Sequence, residues 1–448
     1  MQVESLTPCS NPPRTNRLFA RFRAVGIAAL AVVLLPACLR FKSVPLDPAR
    51  SAAQISSRRL GGKTWTLKTL TEEAVRHHAD VAVAHAQYET ARAALGTAGE
   101  RPNPTVALLP QVVTPFHSWI PGTYSIDFDW TLETAGKRGR RMDVARAQAN
   151  AAAANVITAE WKVRAAVRTA FLELYIADQR VALITDANAK QGEVLKSIEN
   201  RIKAGAAALI EAAQPRLLAA QLRLQAADAA KSAALARVSL AEALGISRAG
   251  LEGANFSFAA FEAAPGTKGA SRRQAMTHRA DVLSTLADYA AAEATLRLEI
   301  AKQYPDVHLN PGYQLDAGEN KWALGVGLTL PILNQNKGPI GEAEAKRREV
   351  AAKFRAVQSQ VLADCDRAVA AVAAARSKLA TADELLAEQG RQIESLTRIA
   401  AAGEGDRLAV LSAEVERATT RVSRLEAFME LQAALGALEQ ATQTPLEK

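Results

Sequence analysis

Cysteine is nearly absent: Cys9, Cys38 and Cys365 are the three in 448 residues. No C-x-x-C and no H-E-x-x-H occurs, which removes the commonest dithiol and zinc signatures. His78 and His85 sit two helical turns apart, about 10 Å, too far to share one metal ion. The glycine pairs GVG (325–327) and GEG (403–405) lack the third glycine of a dinucleotide loop, and the first leads into Pro331 rather than a helix. No nucleophile elbow or paired-carboxylate motif stands out. The chain therefore reads as a non-enzyme with no cofactor and no metal site. Aromatics are scarce at 5%, and alanine inflates the 49% hydrophobic share. That composition suits long helices better than a bulky aromatic core. The net charge is +9, but Lys and Arg are interspersed with acids, which argues against nucleic acid as a partner. The longest apolar run, AVGIAALAVVLL (24–35), is too short for a conventional membrane-spanning helix.

That run has a function of its own. Arg14, Arg17, Arg21 and Arg23 precede it, and small residues follow, the pattern of a secretory signal over 1–37. LPAC (35–38) resembles a bacterial lipobox. The resemblance implies cleavage before Cys38 and lipid, palmitate included, on that residue. Leu39 in place of aspartate implies sorting to the outer membrane. The alternative is an ordinary signal, or a retained anchor, with a chance cysteine. With Cys9 lost with the leader and Cys38 carrying lipid, Cys365 is the one free thiol, so no intrachain disulfide holds the exported chain together.

The sequence is written twice. AVRHHADVAVAHAQYETARAAL (74–95) echoes AMTHRADVLSTLADYAAAEATL (275–296) at an offset of 201, and Pro104-Thr-Val continues as Pro305-Asp-Val. In TYSIDFDWTLE (123–133) the apolar residues Tyr124, Ile126, Phe128, Trp130 and Leu132 alternate with polar ones, the period of a two-faced strand. KWALGVGLTLP (321–331) repeats the stripe as Trp322, Leu324, Val326, Leu328 and Leu330, at an offset of 198. Four strands are expected, over about 105–113, 123–133, 306–316 and 321–332.

Each copy reads as helix, strand, strand, very long helix, break, helix. The expected organisation is a signal (1–37), an N-terminal arm (38–66), a first repeat (67–246), a Gly-rich linker (247–276), a second repeat (277–441) and a tail (442–448). A seven-residue seam of small and apolar residues runs from Met142 through Ala145, Ala149, Ala152, Val156, Ala159, Val163 and Ala166 to Ala170, as in a coiled coil. The long helices break at RIKAGAAAL (201–209) and AAAGEGDRL (400–408), where glycine supplies the freedom to turn.

Four strands cannot close a barrel, and an open edge cannot sit in lipid. If the stripes face lipid, the chain must oligomerise: two copies give eight strands, three give twelve. Trp119, Trp130 and Trp322, with Phe116, Tyr124, Phe128 and Tyr313, lie in or beside these strands, as rings at a membrane interface do. The alternative is a soluble β-subdomain capping a coiled coil, a lipid-anchored periplasmic scaffold without a pore.

Several stretches together are similar to the TolC-like family of outer-membrane efflux proteins. They are CLRFKSVPLDP (38–48), the W-x-L opening at Trp65 and Leu67, ERPNPTVAL (100–108), LETAGKRGRR (132–141), RADV (279–282) and TLPILNQNKGPIGEAEA (329–345). The last resembles the heavy-metal branch. The resemblance implies a mainly α fold with a transmembrane β part: duplicated helical hairpins form a periplasmic α-barrel tunnel, and four strands per chain form a 12-stranded barrel in a homotrimer. It implies an exit duct, passive itself, that meets a periplasmic membrane-fusion adaptor and an inner-membrane pump of RND type, with metal cations as cargo. A duct for type I protein secretion would look the same from this chain. Arg201, Gly205 and Leu209 match the family's first tip motif; Gly403, Asp406 and Leu408 match the second. AGAAALIEA (204–212) lacks the family's usual Ser/Thr and Asp after the glycine. Glu404 and Asp406 are the resemblance's candidates for a pore constriction.

Overall fold

The computed structural model describes residues 41–112, 122–262, 272–316, 318–402 and 404–446. The signal, Cys38, Phe116, Trp119 and Gly403 lie outside them. Residues 41–54 form a unit distinct from residue 55 onward. There the chain is irregular and exposed up to helix α1 (Pro48–Ser57), whose first turn is capped by the Asp47 carboxylate accepting from the Ala49 and Arg50 N–H groups.

The larger unit begins with β1 (Thr64–Trp65), α2 (Leu67–His77) and α3 (Ala79–Gly99). Thr66 caps α2 in a reciprocal box with Thr69, and the His78 ring caps α3 by accepting from the Asp80 N–H, so that histidine has a structural task. Then come β2 (Thr105–Val112), β3 (Gly122–Leu132), α4 (Lys137–Lys203) and α5 (Ala213–Ala243). The linker holds β4 (Asn255–Phe256), which pairs in parallel with β1, and the short α6 (Ala259–Glu262). The second half holds α7 (Arg272–His278), α8 (Ala280–Ala301), β5 (Val307–Asp316), β6 (Glu319–Leu328), α9 (Lys337–Ala401) and α10 (Arg407–Thr442). At 67 and 65 residues, α4 and α9 are each about 100 Å long. The fold is mainly α with one four-stranded sheet, as the sequence pattern predicts.

Both long helices start from one device. Ala135 and Gly136 in the first copy, and Gln335 and Asn336 in the second, lie consecutively in the left-handed region. Glycine and asparagine tolerate that region best, and each occupies the position just before its helix. Of the expected seam in α4, Ala145, Ala149, Val156, Val163 and Ala170 are buried, while Ala166 faces solvent. The long helix drifts against a strict seven-residue repeat, so one seam does not stay covered throughout.

The sheet order is β2-β3-β5-β6, every neighbour antiparallel. The β3–β5 ladder skips Phe128 and Asp129, the residues opposite Pro311 and Asn310; Pro311 has no N–H to give. Hydrogen-bond register corrects the repeat alignment. Val106 faces Phe128 and Val307 faces Leu328. Carrying Val106 onto Val307 therefore carries Phe128 onto Leu328, two residues further than the sequence match. The left-handed turns agree with that longer step. Leu330, expected on the last strand, falls beyond the end of β6, because β5 begins at Val307 and Val307 already faces Leu328.

Packing follows the same four-part order as the sheet. Beside the sheet the helices run α3-α4-α8-α9, and toward the turns they run α5-α4-α10-α9. The main core lies around the middle of α4, where Phe171 stacks on Phe258 at 4.7 Å and packs against Phe256 and Phe261. Among the described residues, two small clusters lie toward the turns, one around Val194, Ile198 and Leu411, the other around Ala187, Leu222 and Ala418.

Candidate functional sites: a two-faced sheet and a paired tip

Strand alternation places Val106, Leu108 and Pro110 of β2 on the same face as the even-numbered stripe of β3, the odd-numbered Val307 to Leu315 of β5 and the even-numbered Trp322 to Leu328 of β6. This face is not covered. Tyr124, Ile126, Phe128, Trp130 and Leu132 are 39–51% exposed, and Trp322, Leu324, Val326 and Leu328 are 52–81% exposed. Leu330, past the strand, is exposed as well. Tyr313 and Trp322 pack ring to ring at 4.9 Å on it. An apolar surface of this extent is not left to water.

The opposite face is polar. Asp129 accepts from His308, whose Nδ1 also lies 3.3 Å from the Thr131 hydroxyl. Asp127 lies over Gly312, where a Cβ would meet its carboxylate at 2.5 Å. Gly325 lies beside Asn310, where a Cβ would meet that residue's Cβ at a tighter 3.2 Å.

Where strands become helices, Lys137 reaches from the first copy into the second. Its buried ammonium donates to the Tyr304 carbonyl at 2.6 Å and to Asp306 at 2.8 Å, and the Thr134 N–H donates to the same carboxylate. Burial pushes the Asp306 carboxyl up, but Lys137 and the Thr134 N–H together hold it below its usual value. Arg141 forms a two-pronged pair with Glu133 alongside. In the sequence Lys137 stands only as one residue of LETAGKRGRR (132–141). The readable signal was Asp306, an acid placed where the first copy has Thr105.

At the far end of the helices the two predicted tips come together. Arg201 lies in the last turn of α4, and its guanidinium donates to Asp406 at 2.8 Å. Asp406 also caps α10 by accepting from the Leu408 N–H at 2.9 Å. That backbone bond first, and Arg201 second, hold its carboxyl below the usual range. Gly205 is left-handed, as the turn requires. Leu209 and Ile210 are each 76% exposed, whereas Leu408 turns inward against the Val194–Leu411 cluster. Glu404 is exposed on the second turn. Gly405 cannot carry a side chain without meeting the Ala400 backbone nitrogen at 2.9 Å.

Ion pairs line the seam between α4 and α10, from this tip toward the core. Lys190–Glu414 (2.9 Å), Asp186–Arg421 (3.4 Å) and Arg180–Glu426 (3.1 Å) are partly exposed. The last, Arg168–Glu439 (3.7 Å), is buried, and Gln432 beside it donates to the Phe261 carbonyl. Sequence reading missed this seam because each charge alone reads as a solvated helix face. Among the described residues no three His, Cys, Asp or Glu side chains are grouped to hold a metal ion, and no helix is long and apolar enough to cross a membrane.

The model of the outer membrane efflux protein family matches residues 70–246 and 272–443. A cobalt-zinc-cadmium resistance protein, CzcC of Cupriavidus metallidurans, is 25% identical over 47% of this chain, and the match spans 51% of that relative, about half its length. The pyoverdine export outer membrane protein OpmQ of Pseudomonas aeruginosa is 25% identical over 72% of this chain and 70% of its own. Crystallised CusC, described as forming a transmembrane channel, shares the fold at a TM-score of 0.71, with 17% identity over 92% of this chain and all of that one.

Proposed function

Because this chain belongs to the outer membrane efflux protein family, we propose that it is the outer-membrane exit duct of a three-part efflux system. The observation that carries this reading is the sheet: one apolar face, one polar face, and strands β2 and β6 at its edges. An open edge cannot remain in lipid. β2 and β6 run in opposite directions, so β6 of one copy can pair antiparallel with β2 of the next, and the ring closes when copies repeat head to tail. Three copies give twelve strands. The two helical layers end the same way, on α3 and α9 and on α5 and α9, so one operation would close all three layers into a barrel and a tunnel. The outward stripes then meet lipid, the Asp127–Asp129–His308 face meets water, and lipid on Cys38 adds an anchor.

In this reading the Arg201–Asp406 tip faces a periplasmic adaptor, with the exposed Leu209 and Ile210 as contact and Glu404 and Asp406 at the constriction. The inner-membrane pump supplies the energy and selects the cargo. The similarity to CzcC makes divalent metal cations the first cargo to test. A deletion strain with unchanged metal tolerance would remove that cargo and leave the duct.

The deciding experiment is the native mass of the full chain extracted in mild detergent, corrected for bound detergent, together with conductance in a planar bilayer. Three chains and a stable conductance are expected. A single chain that stays soluble after loss of its lipid, without conductance, would instead make it a periplasmic scaffold.

A further inference from the structure

The internal repeat allows the contact between copies to be written down residue by residue. Two anchors set the equivalence. Gln191 and Gln389 are both buried, each is followed by a glycine, and they are 198 apart. Gly245 and Gln443 close α5 and α10 in the left-handed region, also 198 apart. Buried Ala229, Ala236, Leu240 and Ala243 of α5 carry onto buried Ala427, Ala434, Leu438 and Ala441 of α10 at the same step. Thus α4 corresponds to α9 and α5 to α10. The seam inside the chain, α4 against α10, must then correspond to α9 against α5 of a neighbouring copy.

Carrying the three central ion pairs across is a strict test, because nothing obliges the new positions to be charged. Arg180–Glu426 becomes Lys378 facing the partner's Asp228. Asp186–Arg421 becomes Glu384 facing the partner's Arg223. Lys190–Glu414 becomes Glu388 facing the partner's Arg216, with both signs reversed. All three are of opposite sign, in a chain where only 23% of residues are charged. The ends do not carry over: Arg168–Glu439 becomes Asp366 and Ala241, and Arg201–Asp406 becomes Ile399 and Ala208. In the single chain these charges are exposed, with Lys378 on Glu430, Glu388 on Arg391 and Arg216 on Glu199.

We infer that a second copy of this chain docks its α5 on the open side of α9, in the register that sets Lys378, Glu384 and Glu388 against the partner's Asp228, Arg223 and Arg216. This rests on the duct reading and deepens it. The seam between copies is held in its middle by exposed ion pairs and ends at the tip without the salt bridge that closes the seam within the chain. Exposed pairs are weak singly and screened by salt, so they select register more than they supply strength.

The test uses the full chain in detergent with Glu384→Cys and Arg223→Cys together, treated with a short bismaleimide. The chain without these substitutions controls for the buried Cys365. Covalent dimers and trimers are expected, at least tenfold more than from Glu384→Cys with Lys231→Cys, two turns along α5. Charge reversal by Glu384→Arg should lower the temperature at which the oligomer dissociates, and adding Arg223→Glu should restore it. A multi-chain native mass with the shifted pair cross-linking better overturns this register and leaves the duct reading intact. A single-chain mass with neither pair cross-linking overturns both.

Discussion

Helices α4 and α9 are copies of one sequence element, yet they live in different surroundings. α4 is packed on several sides, against α2, α3, α5, α8 and α10, and buries Phe171, Leu172, Leu174 and Ile176 in its middle. α9 has α7, α8 and α10, and buries only small groups such as Val361, Cys365, Ala368 and Val372 there. At the corresponding step, Phe171 is fully covered and Val369 is 58% exposed. A duplicated element does not receive a duplicated environment. The first copy sits inside the chain's arc of helices and the second at its rim, so aromatic mass gathers where packing is complete.

The largest effect that would sharpen this contrast is at the core. Phe171→Ala should cost about 3–5 kcal/mol, a cavity among the three rings of Phe256, Phe258 and Phe261. Val369→Ala should stay within about 0.5 kcal/mol for the isolated chain. Denaturant unfolding followed by circular dichroism reads both, and equal effects would break the comparison.

Next comes the buried end of the seam. Removing one partner from a buried pair costs about 3–5 kcal/mol, so Glu439→Ala should approach the Phe171 effect. Its counterpart is already alanine, Ala241, which needs no partner. If Glu439→Ala unfolds at the denaturant concentration of the parent chain, Arg164 and Arg168 do not depend on it as the geometry indicates.

The two tips should differ by less. Gly405→Ala forces a contact with the Ala400 backbone and should cost about 1–3 kcal/mol, the range for overpacking. Gly205→Ala meets no atoms but keeps a left-handed backbone, at about 1–2 kcal/mol. Hydrogen exchange localised to residues 398–408 or 200–210 separates the two.

The smallest effect is the pH response of the tip. The Asp406 carboxyl is depressed in the folded chain, so its contribution is complete above its ordinary value of 3.8 and is lost as pH falls through the lower folded value. The pair is exposed and worth about 0.2–1 kcal/mol. Protection of the Leu408 amide should therefore fall in acid, and Asp406→Asn should flatten that response. A response unchanged in Asp406→Asn would assign it to another group.

Much of the architecture was legible because it rests on periodicity. Alternation marked the strands to within a few residues, and the glycine breaks marked the helix turns. Leu330 was misplaced because the end of a strand depends on where its partner begins, not on its own pattern. The step between the two stripes was read two residues short because apolar residues alternate, and a shift of two leaves the stripe unchanged. The turns between the long helices were legible as positions, but the Arg201–Asp406 bond was not, since the two lie 205 residues apart. Lys137 on Asp306 was hidden for the same reason.

By itself the sequence determined the duplication, the helix and strand periods and the face of each strand that is apolar. These follow from residue spacing against the fixed repeats of helix and sheet. Tertiary structure alone decided which copy is covered and which is bare, and which charges pair across the α4–α10 seam. Such contacts join residues far apart in sequence, and no local period encodes them.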